Sequence, residues 1–331
     1  MQKKKLMLIL FSFIMILGTM MSLSSYYWLL AWIGLELNMI GFIPLMVSDD
    51  STEKSESSMK YFIIQSLGSS MIIFCSIYFF MANGSWDMYS KHSSEINLTS
   101  FMTFALLLKM GAGPFHFWFP SVFSSLSWYS AFLLISWQKL APFILLIFHL
   151  YHMKLMVLSI FCSALFGGIG GLNQVYIRPL LAYSSISHLS WMLAGSLINV
   201  YYAICYFIVY LFITLSLFIF LNTFNYYKMY MMNSMYMKMS ILIILSLSGM
   251  PPTLGFLNKI MVLKLLANTD NYMMIFILIM FSMLSLSFYM SFMLSILMSH
   301  LKMSEFSSKN YKLMLMSLCV SMNIFGGLLI V

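Results

Sequence analysis

A chain of 331 residues that is 62% hydrophobic and only 8% charged falls far below the roughly 25% charge of ordinary soluble proteins, which excludes a water-soluble globule of this size. Aromatic residues supply 17%, Met fills 35 positions and Arg178 is the one arginine; so skewed a usage points to an AT-rich, organellar coding source. The net charge of +8 would suit an anionic partner, but its placement along the chain reads instead as membrane topology.

A spanning helix takes about 20 mainly apolar residues, and polar breaks divide this chain into eleven such segments. Their approximate bounds are 6–25, 26–47, 60–82, 98–122, 129–151, 154–176, 179–198, 200–224, 239–267, 271–299 and 311–330. Lys3, Lys4 and Lys5 ahead of the first run raise the question of a cleaved signal. The run is long enough to span and lacks a small-residue cleavage site, so it reads as the first membrane helix. Asp49, Asp50, Glu53 and Glu56, between the second and third segments, read as a solvated loop. No stretch sustains the period-2 alternation of a membrane β-barrel. Cys75, Cys162, Cys205 and Cys319 lie far apart without CxxC spacing and read as small core residues, which gives no metal site and no disulfide.

Lysine and arginine set the orientation. With eleven spans, one side receives Lys3, Lys4, Lys5, Lys54, Lys60, Arg178, Lys228, Lys238, Lys302, Lys309 and Lys312, and the other Lys91 and Lys154. The N-terminus is therefore expected on the side of synthesis and the C-terminus opposite it.

Some charges do not belong to loops. Glu36, Lys109, Lys139 and Lys259 sit inside apolar segments. At ~1.5 Å per residue the first three lie ~15 Å from their segment starts, about the middle of a ~30 Å hydrocarbon core. A charge there costs at least ~2.5 kcal/mol and is retained where it faces a partner or a wet cavity. Lys264, near a segment end, reads as snorkelling to the interface. His188, in LAYSSISHLSWM, is equally deep; alone it reads as a satisfied core histidine, and beside the lysines as a relay member, since an unperturbed imidazole exchanges protons near neutrality. His116, His149 and His152 are less well placed.

Two of the charged segments are also broken. Gly111, Gly113 and Pro114 follow Lys109, and Gly249, Pro251 and Pro252 precede Lys259. A proline frees the carbonyl four residues upstream, which predicts a free Met110 carbonyl from Pro114 and a free Gln138 carbonyl from Pro142. Irregular backbone at membrane depth is tolerated only inside protein or against water. The expected fold is an all-α polytopic membrane protein of about eleven transmembrane helices, one transmembrane domain over 1–331. Within it, approximate repeats 26–151 and 154–299 would be two inverted five-helix repeats, each with a broken helix, flanked by helices 6–25 and 311–330.

On WIGLELN at Trp32 to Asn38, LKMGAGPFHFWFP at Leu108 to Pro120, WQKLAP at Trp137 to Pro142, GGLNQ at Gly170 to Gln174, LAYSSISHLSWML at Leu181 to Leu193 and SLSGMPPTLGFLNK at Ser246 to Lys259, the chain resembles the subunit 2 family of mitochondrial NADH:ubiquinone oxidoreductase. These are antiporter-like subunits of the membrane arm of respiratory complex I. The resemblance implies a proton pathway through Glu36, Lys109, Lys139, His188 and Lys259. It also implies complex I subunits and lipid as partners and the mitochondrial inner membrane as location, with the N-terminus in the matrix and the C-terminus in the intermembrane space. Eleven helices agree with the animal form, which lacks the first three of fourteen. NADH, FMN, iron–sulfur clusters and ubiquinone are implied on other subunits, in keeping with the lack of a GxGxxG or cysteine cluster here; the chain would be part of an enzyme without redox chemistry or a cofactor of its own. Ser121, Pro179 and Asn258 depart from the family's usual glutamate, lysine and proline. A stand-alone cation/proton antiporter and a structural spacer stay open as alternatives.

Overall fold

The computed structural model describes residues 2–47, 51–88, 96–149, 152–224, 234–251 and 253–300. Lys91, Lys228, Lys302, Lys309, Lys312, Cys319, Pro252 and the expected span 311–330 lie outside them. In chain order the helices are α1 (Gln2–Ser24), α2 (Trp28–Met46), α3 (Thr52–Asn83), α4 (Ile96–Met110), α5 (Trp118–Ser125), α6 (Trp128–Ile135) and α7 (Trp137–His149), then α8 (Met153–Leu172), α9 (Ile177–Ile198), α10 (Val200–Phe224), α11 (Ser234–Ser248), α12 (Leu254–Asn268) and α13 (Tyr272–His300). Among the described residues the one β feature is an isolated bridge between Tyr27 and Asp87. Among the described residues, seven helical stretches are long and apolar enough to cross a bilayer. The chain divides into two compact units, one up to Ser159 and one from Ile160 onward, with the division inside α8.

Three expected segments are not single helices. The fourth is α4 and α5, the ninth is α11 and α12, and the fifth is interrupted at Ser136 between α6 and α7. The third, by contrast, is longer than expected. It begins at Thr52, because Glu53 sits in its first turn, where the helix dipole favours a carboxylate, and Glu56 pairs with Lys60 at 2.5 Å one turn apart. Such i,i+4 pairs support helix in water, so the acidic patch is partly helical rather than loop.

In the first unit α1 and α2 form a hairpin whose backbones touch. A methyl group at Gly34 would lie 2.5 Å from the Ser22 nitrogen and 2.7 Å from the Gly18 carbonyl oxygen, the small-residue contact that packs membrane helices. Helix α3 packs on α2, α4 and α5, and α7 on α4 and α1. In the second unit α9 lies among α10, α12 and α13. From Leu180 to Ser196 its residues are buried, His188 and four of the five serines included, except for the half-buried Tyr183 and Ser187. A helix buried all round has no lipid-facing stripe, and the serine hydroxyls on α9 each bond the carbonyl three residues back.

Candidate functional site

Both helix breaks are made the same way. Helix α4 ends with Gly111 at φ 70°, the Gly111 N–H donating to Leu108 and the Ala112 N–H to Leu107, each at 3.1 Å. Helix α11 ends with Gly249 at φ 75°, its N–H reaching Ser246 at 3.3 Å and the Met250 N–H reaching Leu245 at 3.3 Å. This is the Schellman arrangement, in which a glycine in the left-handed region turns the last N–H groups back onto the helix. The glycines therefore stop the helices before the prolines are reached. Pro114 lies outside α4, so the expectation that it frees the Met110 carbonyl is corrected. The carbonyl that finds a side-chain partner is that of Lys109, which accepts from Gln65 Nε2 at 3.2 Å. Pro142 does lie inside a helix, and the interruption it accompanies falls at Ser136, whose hydroxyl donates to the Phe132 carbonyl at 2.6 Å.

The first unit holds Glu36, Lys109 and Lys139 and brings the first two within electrostatic range of each other. Lys109, in the last turn of α4, is 6% exposed, and Lys139, in the first turn of α7, is 2% exposed. Glu36 is half-buried on α2 and interacts electrostatically with Lys109 without a direct hydrogen bond. The Lys109 stem lies against Gly68 of α3, where a methyl group would come within 3.0 Å of its Cγ. The Lys139 ammonium stands 4.6 Å over the Phe119 ring of α5, a cation–π contact strengthened by burial.

Uncharged polar groups tie these helices together. The Tyr61 hydroxyl on α3 donates to Gln138 Oε1 at 3.1 Å, and Gln138 Nε2 donates to Asn38 Oδ1 on α2 at 3.1 Å. Asn38 is 2%, Tyr61 2% and Gln65 5% exposed, and Tyr61 also feels the Glu36 charge. Sequence reasoning weighed charged residues and histidine and passed over these four. The signal was there, since Asn38 ends LELN and Gln138 stands beside Lys139 in WQK.

The second unit gathers His188 and Lys259. Lys259, in the second turn of α12, is 8% exposed and folds back so that its ammonium donates to the Ser248 carbonyl, the end of α11, at 2.8 Å. A Gly249 methyl would lie 3.0 Å from both its Cδ and its Nζ. His188 is 6% exposed, and its Nδ1 is 2.9 Å from the Tyr206 hydroxyl. A cavity of about 10 Å3, lined by His188, Lys259, Ser187, Ser190, Ser282 and Ser285, lies between the two, room for one water with several polar partners. Asn258, where the family usually has proline, donates to the Tyr206 carbonyl at 3.2 Å and so links α12 to α10, whose Tyr206 hydroxyl meets His188. Of the remaining expected features, Lys264 is exposed, Pro251 is exposed at the α11–α12 break, Gly113 joins Pro114 through a cis peptide, and His116, expected to be less well placed than His188, is buried in the α4–α5 break.

Comparison with known proteins agrees with this architecture. Residues 25–286 match the family model described as NADH:quinone oxidoreductase/Mrp antiporter, TM. The chain is 36% identical to NADH-ubiquinone oxidoreductase chain 2 of Anopheles gambiae over 99% of this chain and 98% of that one. It is 38% identical to the chain of the same name from Lemur catta over 85% and 84%. Its fold is similar to a chain of respiratory complex I from Thermus thermophilus, with TM-score 0.86 and 20% identity over 98% of this chain and 78% of that one. It is likewise similar to a chain of the Mrp complex from Dietzia, with TM-score 0.76 and 16% identity over 88% and 60%. The chain belongs to the NADH:quinone oxidoreductase/Mrp antiporter membrane family and, within it, to the NADH-ubiquinone oxidoreductase chain 2 proteins.

Proposed function

We propose that this chain is an antiporter-like membrane-arm subunit of a proton-pumping NADH:ubiquinone oxidoreductase, working in the mitochondrial inner membrane beside other complex I subunits. Its two units are read as the two inverted repeats, with the N-terminus in the matrix and the C-terminus in the intermembrane space. NADH, FMN, iron–sulfur clusters and ubiquinone are assigned to other subunits, and this chain moves protons.

The observation that carries the reading is that three lysines and a histidine are buried beside broken or interrupted helices and polar neighbours. An opposite charge nearby favours the charged form of a buried lysine. Moving Glu36 towards or away from Lys109 therefore loads or unloads its proton. Lys139 is the exchange point that follows, and His188, the serine-lined cavity and Lys259 complete the route. The drive is conformational or electrostatic and comes from the redox part of the assembly.

The test is proton pumping by the intact complex in sealed vesicles, with NADH oxidation measured in the same sample. Lys109→Met and Lys259→Met are each expected to keep the complex assembled and to lower pumping and quinone reduction at least tenfold. Wild-type pumping by both variants refutes the reading and favours a structural spacer. Cation/proton exchange by the purified chain without the complex favours a stand-alone antiporter.

A further inference from the structure

We propose that Tyr61 is a proton-relay residue joining a water-filled vestibule at the head of α3 to the Glu36–Lys109 pair. The inference rests on the proposed function and adds an uptake route to it.

Helix α3 carries a polar stripe that a lipid-facing helix would not have. Glu53, Ser57, Tyr61 and Gln65 recur every four residues, and Gly68 follows, so all five share one face. At the top of the stripe a polar pocket of about 190 Å3 is lined by Glu53, Glu56, Ser57 and Lys60 of α3 and by Ser121 and Ser124 of α5. Its rim is exposed, while Ser57 at its floor is 3% exposed. At the bottom, Gln65 holds the Lys109 carbonyl at 3.2 Å and Gly68 carries the lysine stem. From Ser57 to Gln65 is about 12 Å along the axis, and Tyr61 stands halfway.

Between Ser57 and Gln65, Tyr61 is the stripe residue able to accept a proton and pass one on. Its ring is held edge-on to Phe42 at 5.3 Å and tilted against Trp118 at 5.9 Å, so packing fixes the ring while the hydroxyl rotates. In the structure the hydroxyl donates to Gln138 Oε1, and its oxygen lone pairs are left to accept. Rotation first turns the hydroxyl proton from Gln138 towards Glu36, whose charge Tyr61 already feels; a proton arriving from vestibule water then binds the phenol oxygen as the phenol's own proton leaves, through water, towards Glu36. Tyr61 gains one proton and loses one, and rotation of the hydroxyl resets it. The amide of Gln65 positions the Lys109 backbone and does not itself carry the proton.

The experiment compares Tyr61→Phe, Tyr61→Phe/Gln138→Met and Lys109→Met in the assembled complex, with pumping rate and its pH profile as readouts. Tyr61→Phe keeps the ring packing and removes one hydroxyl, but it leaves Gln138 Oε1 without its donor. The double variant removes that orphaned acceptor, and Gln138→Met alone is run beside it as the reference for the loss of the donor to Asn38 Oδ1. The expected result is a three- to tenfold loss of pumping in both tyrosine variants, steepest at high pH, where protons are scarce in the vestibule. Wild-type pumping by Tyr61→Phe, or a defect that the double variant restores, overturns the relay, since the second outcome assigns the hydroxyl a purely structural role. Should Lys109→Met lose pumping while Tyr61→Phe keeps it, only the relay falls; should Lys109→Met also pump normally, the proposed function falls with it.

Discussion

Replacing Gly249 by alanine probes the second break through two separable effects. The residue sits at φ 75°, and an L side chain in the left-handed region costs roughly 1–2 kcal/mol. Its new methyl group would also meet Lys259 Cδ and Nζ at 3.0 Å, at the point where the ammonium holds the Ser248 carbonyl at 2.8 Å. Displacing that contact removes a hydrogen bond to a charged group, about 1.5–3 kcal/mol. Together the expected destabilisation is about 2.5–5 kcal/mol. Gly84 supplies the control, because it has nearly the same backbone, φ 71°, with nothing within 4 Å of an added methyl. Gly84→Ala should therefore cost the backbone share alone. The assay is the thermal midpoint of the assembled membrane complex, paired with its pumping rate. Gly249→Ala should lower both, and Gly84→Ala should lower the midpoint slightly and leave the pumping rate unchanged. Equal effects at the two glycines would refute the claim that the Gly249 position exists to let Lys259 reach the helix end.

Other expected outcomes follow from single contacts. Gly34→Leu should abolish incorporation of the chain, read by native gel, because its Cβ alone would sit 2.5 Å from backbone of α1, an overpacking that no rotamer relieves. Tyr206→Phe removes the partner of His188 Nδ1; a cost of about 1–3 kcal/mol should appear as a lowered midpoint, with pumping reduced as well if His188 is in the route. Lys264→Met should leave pumping and assembly at wild-type level, since that lysine is exposed rather than buried beside a break.

Much of this architecture is legible in the sequence because bilayer thickness imposes one rule on every segment. Apolar runs mark the helices, so α1, α2, α8, α10 and α13 fall close to where hydropathy puts them. The extension of α3 to Thr52 is not legible that way, since hydropathy finds the membrane and not the helix that projects out of it. The buried charges were visible for the opposite reason, as the residues that rule forbids. Asn38, Tyr61, Gln65 and Gln138 escaped because uncharged polar groups are cheap enough at membrane depth to raise no alarm, although their bonds join α2, α3, α4 and α7. The breaks were found, but prolines were credited with what the glycines do. A Schellman end is a property of backbone dihedrals, and GAGP and GMPP offer glycine and proline side by side without saying which acts first.

The two breaks also explain how a bare lysine survives at mid-membrane. A helix terminus leaves its last carbonyls unpaired and carries about half a negative charge. Lys109 lies in the last turn of α4, and Lys259 reaches the last residue of α11 from the following helix. In one unit the lysine belongs to the last turn of the helix that ends, and in the other it comes from the helix that begins, yet each is placed at the negative end of a half-helix. An unbroken helix would bury that end at the membrane surface, some 15 Å away at ~1.5 Å per residue, where it stabilises nothing in the interior. Breaking the helix moves a partial counter-charge to the place where it is needed, and a partial charge holds a proton less firmly than a carboxylate would. A lysine held by a full ion pair would stay charged through any modest movement. In the proposed function, one at a helix end, with Glu36 at electrostatic range or a serine-lined cavity alongside, is poised so that small displacements decide whether it keeps its proton.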